Sequence, residues 1–304
     1  MLGPLKKSVV MVTGFVLMTL IVLLGLKRNT DGPFYRGRTL ARWTEKYYAA
    51  TVFYPPDESG AKSAENAIRA IGSTAIPYLL EWINYEYELP EEAPMFRQVI
   101  NDVQRVTRPK GTLEDPLLQR AEEATLAFRL IAKESRAVLP DLRKLFLGSS
   151  DDTSGRAGHI LTAFGADAVP IFMDALTNEN KSVRWRAANC LGGMRENARP
   201  AIPLLLQTLK QDDQTVSWMA AEALGRLHLE PSICVPALTI ALMSTNERTK
   251  NSAASALGAF GTNANSAVPQ LLKTIQPNDQ YQNFPITNAV FRIAPVVYSN
   301  QIAK

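Results

Sequence analysis

The chain has 304 residues, of which 46% are hydrophobic and 20% charged, a composition that excludes a disordered tail. Its formal charge of +4 is carried at one end: Lys6, Lys7, Lys27, Arg28, Arg36 and Arg38 precede residue 41 against the single acid Asp31, and from there on 27 basic side chains face 28 acidic ones. That balance argues against field-driven nucleic-acid binding, and two cysteines, Cys190 and Cys234, are too few for a disulfide framework and lack zinc-ligand spacing.

Residues 8–26 run without a charge, long enough at about 1.5 Å per residue to cross a bilayer core of roughly 30 Å. The run ends in Leu26-Lys27-Arg28-Asn29, with no small-x-small cleavage site beside it. The expectation is a single-pass N-terminal membrane anchor over residues 1–28, a membrane location, and the bilayer as one partner. A cleaved signal segment is the alternative. Counted literally, the flanking charges place the rest of the chain in the cytoplasm, whereas Lys-Lys before a long apolar run is also how an export signal begins. The membrane side stays open.

Residues 29–60 read as a linker and a capping helix, with Leu40, Trp43 and Tyr47 on one side. From 61 to 304 the chain is self-similar, which is the strongest signal in it. Gly192, Gly225 and Gly258 stand 33 residues apart, as do Pro203, Pro236 and Pro269, and Trp185 and Trp218 keep the same step. Pro77, Pro140 and Pro170 mark looser earlier copies. An insertion at residues 86–118 interrupts the period, with a helix expected over 95–106 between Pro94 and Pro109. Asn288–Pro295 read as a degraded last copy acting as a cap.

Each column has a physical reading. The Ala pairs 187/188, 220/221 and 253/254 let a first helix approach its neighbour. The Leu-Gly pairs are expected to end that helix, since glycine accepts a left-handed C-cap. Proline then opens a second helix where a missing N–H costs nothing. The residue before it is always apolar, as are the columns two and six past it, for example Leu205 and Leu209, giving a helical core stripe. A single pair cannot bury such faces, but stacked pairs can. The predicted fold class is therefore all-α, a HEAT/armadillo-like α-α superhelix.

These residues resemble the HEAT-like repeat family, in the short version found in phycobilisome-lyase-type and many bacterial HEAT proteins. Its pattern is met at Glu179, Val183-Arg184, Ala187-Ala188, Leu191-Gly192 and Ala201-Ile202-Pro203, closely from about residue 155 to 276 and more loosely from 61 to 147. Ser217 and Asn251 stand where the pattern has Arg, so an arginine ladder is incomplete. The resemblance implies a fold and a binding habit, and no particular partner.

Candidate sites follow from what the repeat leaves unexplained. Cys190 and Cys234 occupy columns held elsewhere by alanine, which makes them small packed residues. His159 and His228 have no nucleophile or carboxylate at useful spacing, and no enzyme motif is present. Arg184, Arg186, Arg195 and Arg199 form the densest basic group, able to grip an acidic segment unless they pair with acids of neighbouring repeats. Trp185 and Trp218 read as packing between repeats. Trp82, Tyr85 and Tyr87 lie in an acidic, aromatic run at the insertion, suited to a basic or proline-rich segment. In HEAT-like arrays the second helices usually line the concave side. The mixed row Glu81, Lys144, Asp174, Gln207, Ile240 and Lys273 is accordingly the expected groove.

The leading functional expectation is a non-enzymatic scaffold, without cofactor, that docks a protein or peptide on a curved surface at a membrane. A bilin lyase-like or chaperone-like role and a nucleic-acid-binding role are the alternatives.

Overall fold

A computed structural model describes residues 30–85, 116–132, 135–148, 150–210, 214–275 and 280–302. Two short antiparallel strands, β1 (Phe34–Tyr35) and β2 (Arg38–Thr39), turn the chain into α1 (Leu40–Val52). As expected of a cap, α1 buries Leu40 and Trp43 and leaves Tyr47 half-covered. The Trp43 indole also donates to the Tyr35 carbonyl at 2.9 Å, tying the hairpin to the helix.

Helical pairs follow. They are α2 (Glu58–Ile71) with α3 (Ile76–Ile83), α4 (Pro116–Ile131) with α5 (Leu139–Gly148), and α6 (Asp151–Thr162) with α7 (Val169–Ala175). Next come α8 (Lys181–Gly193) with α9 (Ile202–Leu209) and α10 (Gln214–Leu227) with α11 (Pro231–Ala241). Last are α12 (Glu247–Phe260) with α13 (Val268–Thr274), and α14 (Gln280–Ile293) with α15 (Pro295–Gln301).

Side-chain caps start several first helices. Asp57 accepts from the Gly60 N–H at 2.8 Å, Asn180 from Ser182 at 2.9 Å and Asn246 from Thr249 at 3.0 Å. Proline stands in the first turn of α3, α7, α9 and α13, as its fixed φ favours. In α11 the helix starts earlier, at Pro231, so Pro236 lies inside it. The column two past the repeat proline (Leu79, Leu142, Phe172, Leu205, Leu238, Leu271) is fully buried, each side chain contributing about 2 kcal/mol of burial. The Ala pairs are fully buried too.

The Leu-Gly columns do something other than end helices. Gly192, Gly225 and Gly258 lie inside α8, α10 and α12. A Cβ on Gly192 would come within 3.0 Å of the Ala223 Cα, one on Gly225 within 2.7 Å of the Ala256 Cα, and one on Gly258 within 3.0 Å of the Ala289 Cα. The glycines are there because neighbouring first helices touch backbone to backbone. The left-handed position comes three residues later, at Gly165 (φ 61°), Arg195 (52°), His228 (54°) and Gly261 (56°).

The end of the chain differs from expectation as well. Asn288–Pro295 is the junction of a complete pair, α14 and α15, and Ala289 occupies the slot that Ala223 and Ala256 fill upstream. Among the described residues no helix is long and apolar enough to cross a membrane. This corrects the expected single-pass anchor and the membrane location drawn from it. Residues 8–26, on which that expectation rested, lie outside the described residues, as do Tyr87 and the helix expected over 95–106.

Candidate functional site

The spacing between helices decides which face can hold a ligand. First helices α8, α10, α12 and α14 meet at the glycine–alanine contacts, while the second helices approach one another far less. The close-packed layer is therefore made by the helices carrying the Ala-Ala and Leu-Gly columns, and the proline-started helices form the looser one.

Two cavities open on the layer of first helices. One of 310 Å3 lies between α6 and α8, lined among others by Phe146, Asp151, His159, Trp185, Arg186 and Asn189. The other, of 710 Å3, spans α10, α12 and α14, with Glu222, Arg226, Arg248, Asn251, Ser255 and Arg292 in its wall. Arg226 Nη1 donates to Asn189 Oδ1 at 2.7 Å, so a side chain of the second cavity bonds to one of the first.

The four arginines singled out by density do not assemble. Arg184 turns back on its own loop, donating to the carbonyls of Asn178 at 2.7 Å and Glu179 at 2.9 Å. Arg186 is buried, at 7% exposed, and its Nη1 meets Asp151 Oδ1 of the preceding repeat at 2.5 Å. Its Nε has no hydrogen-bond partner. Arg199 bonds to Glu196 at 2.8 Å and also to Glu230 of the next repeat. Arg195 is exposed, in the left-handed position.

The tryptophans separate in the same way. Trp218 is buried beneath the Arg248 guanidinium, 3.4 Å from the ring centroid. Trp185, expected as packing, is 38% exposed and lines the smaller cavity.

At the insertion, Trp82 is buried against Tyr78 and under Arg120 rather than presented to a partner. Tyr85 is half-buried, and its carbonyl accepts from the buried Arg156, which also donates to the Ile83 carbonyl at 3.0 Å. The row Glu81, Lys144, Asp174, Gln207, Ile240 and Lys273 is exposed throughout. Within it Asp174 is engaged by Arg143 of the preceding second helix at 2.5 Å.

Both cysteines are buried and unpaired. Burial pushes the Cys190 thiol up to about 12 and the Cys234 thiol up to about 11, the latter helped by Glu230. Neither is a nucleophile near neutral pH.

Sequence reasoning missed Arg226, Arg248 and Arg292. Their signal was present, because Arg226 and Arg292 fall on one repeat column, separated by Ala259, but they are far apart in the chain and form no dense group.

Residues 139–225 and 202–282 match the family model of HEAT repeats. The match does not extend to the phycobilisome-lyase type. None of the curated proteins matches the chain. Among solved structures, an engineered protein is 21% identical, covering 60% of this chain and 92% of that one, with a TM-score of 0.38. Kap121p is 14% identical over 84% of this chain, with a TM-score of 0.49. Kap121p bound to Nup53p is 13% identical over 83%, with a TM-score of 0.47. The chain spans 29% of the length of Kap121p. Similarity at this level says nothing of function.

Proposed function

We propose that the chain is a non-enzymatic scaffold that docks a protein or peptide segment on its layer of first helices. The observation that carries this reading is the pair of cavities on that layer, bridged by the Arg226–Asn189 hydrogen bond. Together they offer an elongated surface with the exposed edge of Trp185 at one end. Solenoids bind extended partners because each repeat adds one further strip of the same surface. The exposed second-helix row of Lys144, Asp174, Gln207 and Lys273 is the competing surface, but no cavity described here opens on it. A bilin-handling role has less support, since covalent attachment needs a reactive thiolate and both thiols are buried and protonated. Nucleic-acid binding through Arg184–Arg199 has less as well, because those side chains are divided among their own loop and neighbouring acids.

The test is a photo-crosslinking side chain placed in turn at Asn189, Ser255, Lys144 and Lys273 of the full-length protein in its native cells. One protein captured from Asn189 and Ser255, and from neither lysine position, is the expected result. Capture from Lys144 and Lys273 alone would move the site to the second helices and overturn the assignment.

A further inference from the structure

The larger cavity has a chemistry of its own. Arg226 and Arg292 are repeat equivalents. The Cδ atoms of these side chains lie 3.6 Å and 3.7 Å from where a Cβ on Gly192 and Gly258 would stand, so each stem crosses the backbone of the preceding first helix. The intervening equivalent is Ala259, and the side chain missing there opens the 710 Å3 space, with Arg226 and Arg292 in its wall. Arg248, held flat on Trp218, forms a third positive wall. Glu222 is the one carboxylate among the described lining residues.

We infer that this face takes an acidic peptide segment, its carboxylates against Arg248 and Arg292. The inference rests on the docking surface proposed above and adds the chemistry of its occupant. Guanidinium groups pair with carboxylates by charge-assisted, often bidentate hydrogen bonds. A nucleic-acid backbone carries a phosphate at every step and would set one against Glu222, whereas a peptide can place an uncharged residue there.

The test pans a random peptide library against the full-length protein, with Ala259→Trp, which fills the cavity, as the control. Enrichment of Asp and Glu, abolished by Ala259→Trp, is the expected outcome. A selected glutamate-rich peptide should then bind about tenfold more weakly to Arg292→Gln and to Arg248→Gln, with the melting temperature unchanged. Neutral or basic peptides that Ala259→Trp still blocks would overturn the acidic assignment and leave the docking surface standing. Selection indifferent to Ala259→Trp, or no selection at all, would overturn both. Binding of a single-stranded RNA or of inorganic phosphate, with no peptide enriched, would replace the peptide with a phosphate ligand and sink the inference.

Discussion

Replacing Gly225 by alanine tests the backbone contact on which the layer of first helices depends. The added Cβ would sit 2.6 Å from the Ala256 Cβ and 2.7 Å from its Cα, whereas carbon atoms settle about 3.5–4.0 Å apart. No side-chain rotation relieves this, so α10 and α12 must part by about 1 Å, loosening the buried faces of both. Overpacking of this kind costs about 1–3 kcal/mol, and a backbone contact belongs at the upper end. Against it stands about 1 kcal/mol gained by replacing a helical glycine, leaving a net loss of about 2 kcal/mol. Gly192→Ala and Gly258→Ala, with nearest approaches of 3.0 Å, should lose less, about 1 kcal/mol each. Gly193→Ala is the control. Its Cβ would meet only the far end of Arg226, at 3.4 Å, and stability should stay within about 0.5 kcal/mol. Urea unfolding followed by far-UV circular dichroism measures all four. A Gly225→Ala protein as stable as Gly193→Ala would refute the close approach.

Two further expectations concern stability and reactivity. Arg195 and His228 hold φ of 52° and 54° in a column where Gly165 and Gly261 also stand. Arg195→Gly and His228→Gly should each stabilise the protein by about 0.5–1 kcal/mol, the relief of left-handed strain less the greater freedom of glycine in the unfolded chain. A fall in unfolding midpoint for either would show that the side chain contributes more than the strain costs. Cys190 and Cys234 should both resist a thiol reagent at neutral pH until the protein is unfolded. Because their folded values lie at about 12 and about 11, above the ordinary 9.0, the protonated thiols support the fold fully below that ordinary value. That support is lost as pH rises through 9 toward 12, since the unfolded chain releases the protons first. A denaturation midpoint rising with pH across that window in the wild-type chain, relative to a Cys190→Ala/Cys234→Ala chain, would contradict the sign.

Several columns were legible because one helix's own periodicity creates them. Leu205 and Leu209 are four residues apart, share a face wherever that helix sits, and must be covered. The same holds for the proline starts, where a fixed φ acts on the helix that carries it. The Leu-Gly column shows the limit of such reasoning. Glycine followed by a loop fits a C-cap, and nothing local says that its missing side chain is filled by an alanine from the next repeat. Trp185 and Trp218 make the same point. They share a register, yet Arg248 covers one and the cavity leaves the other open.

The sequence by itself determined the helical pairs, their 33-residue step and the apolar stripe that obliges them to stack, because these rest on contacts between residues close along the chain. Only the tertiary structure decided which layer packs backbone to backbone, since that depends on how near adjacent repeats approach. It also scattered the dense arginine group among acids and loop carbonyls, and it gathered Arg226, Arg248 and Arg292 around the space above Ala259. Charge density along a chain and charge density in space are different quantities. A superhelix separates them, because it sets side chains 33 residues apart beside one another and points sequence neighbours to opposite faces.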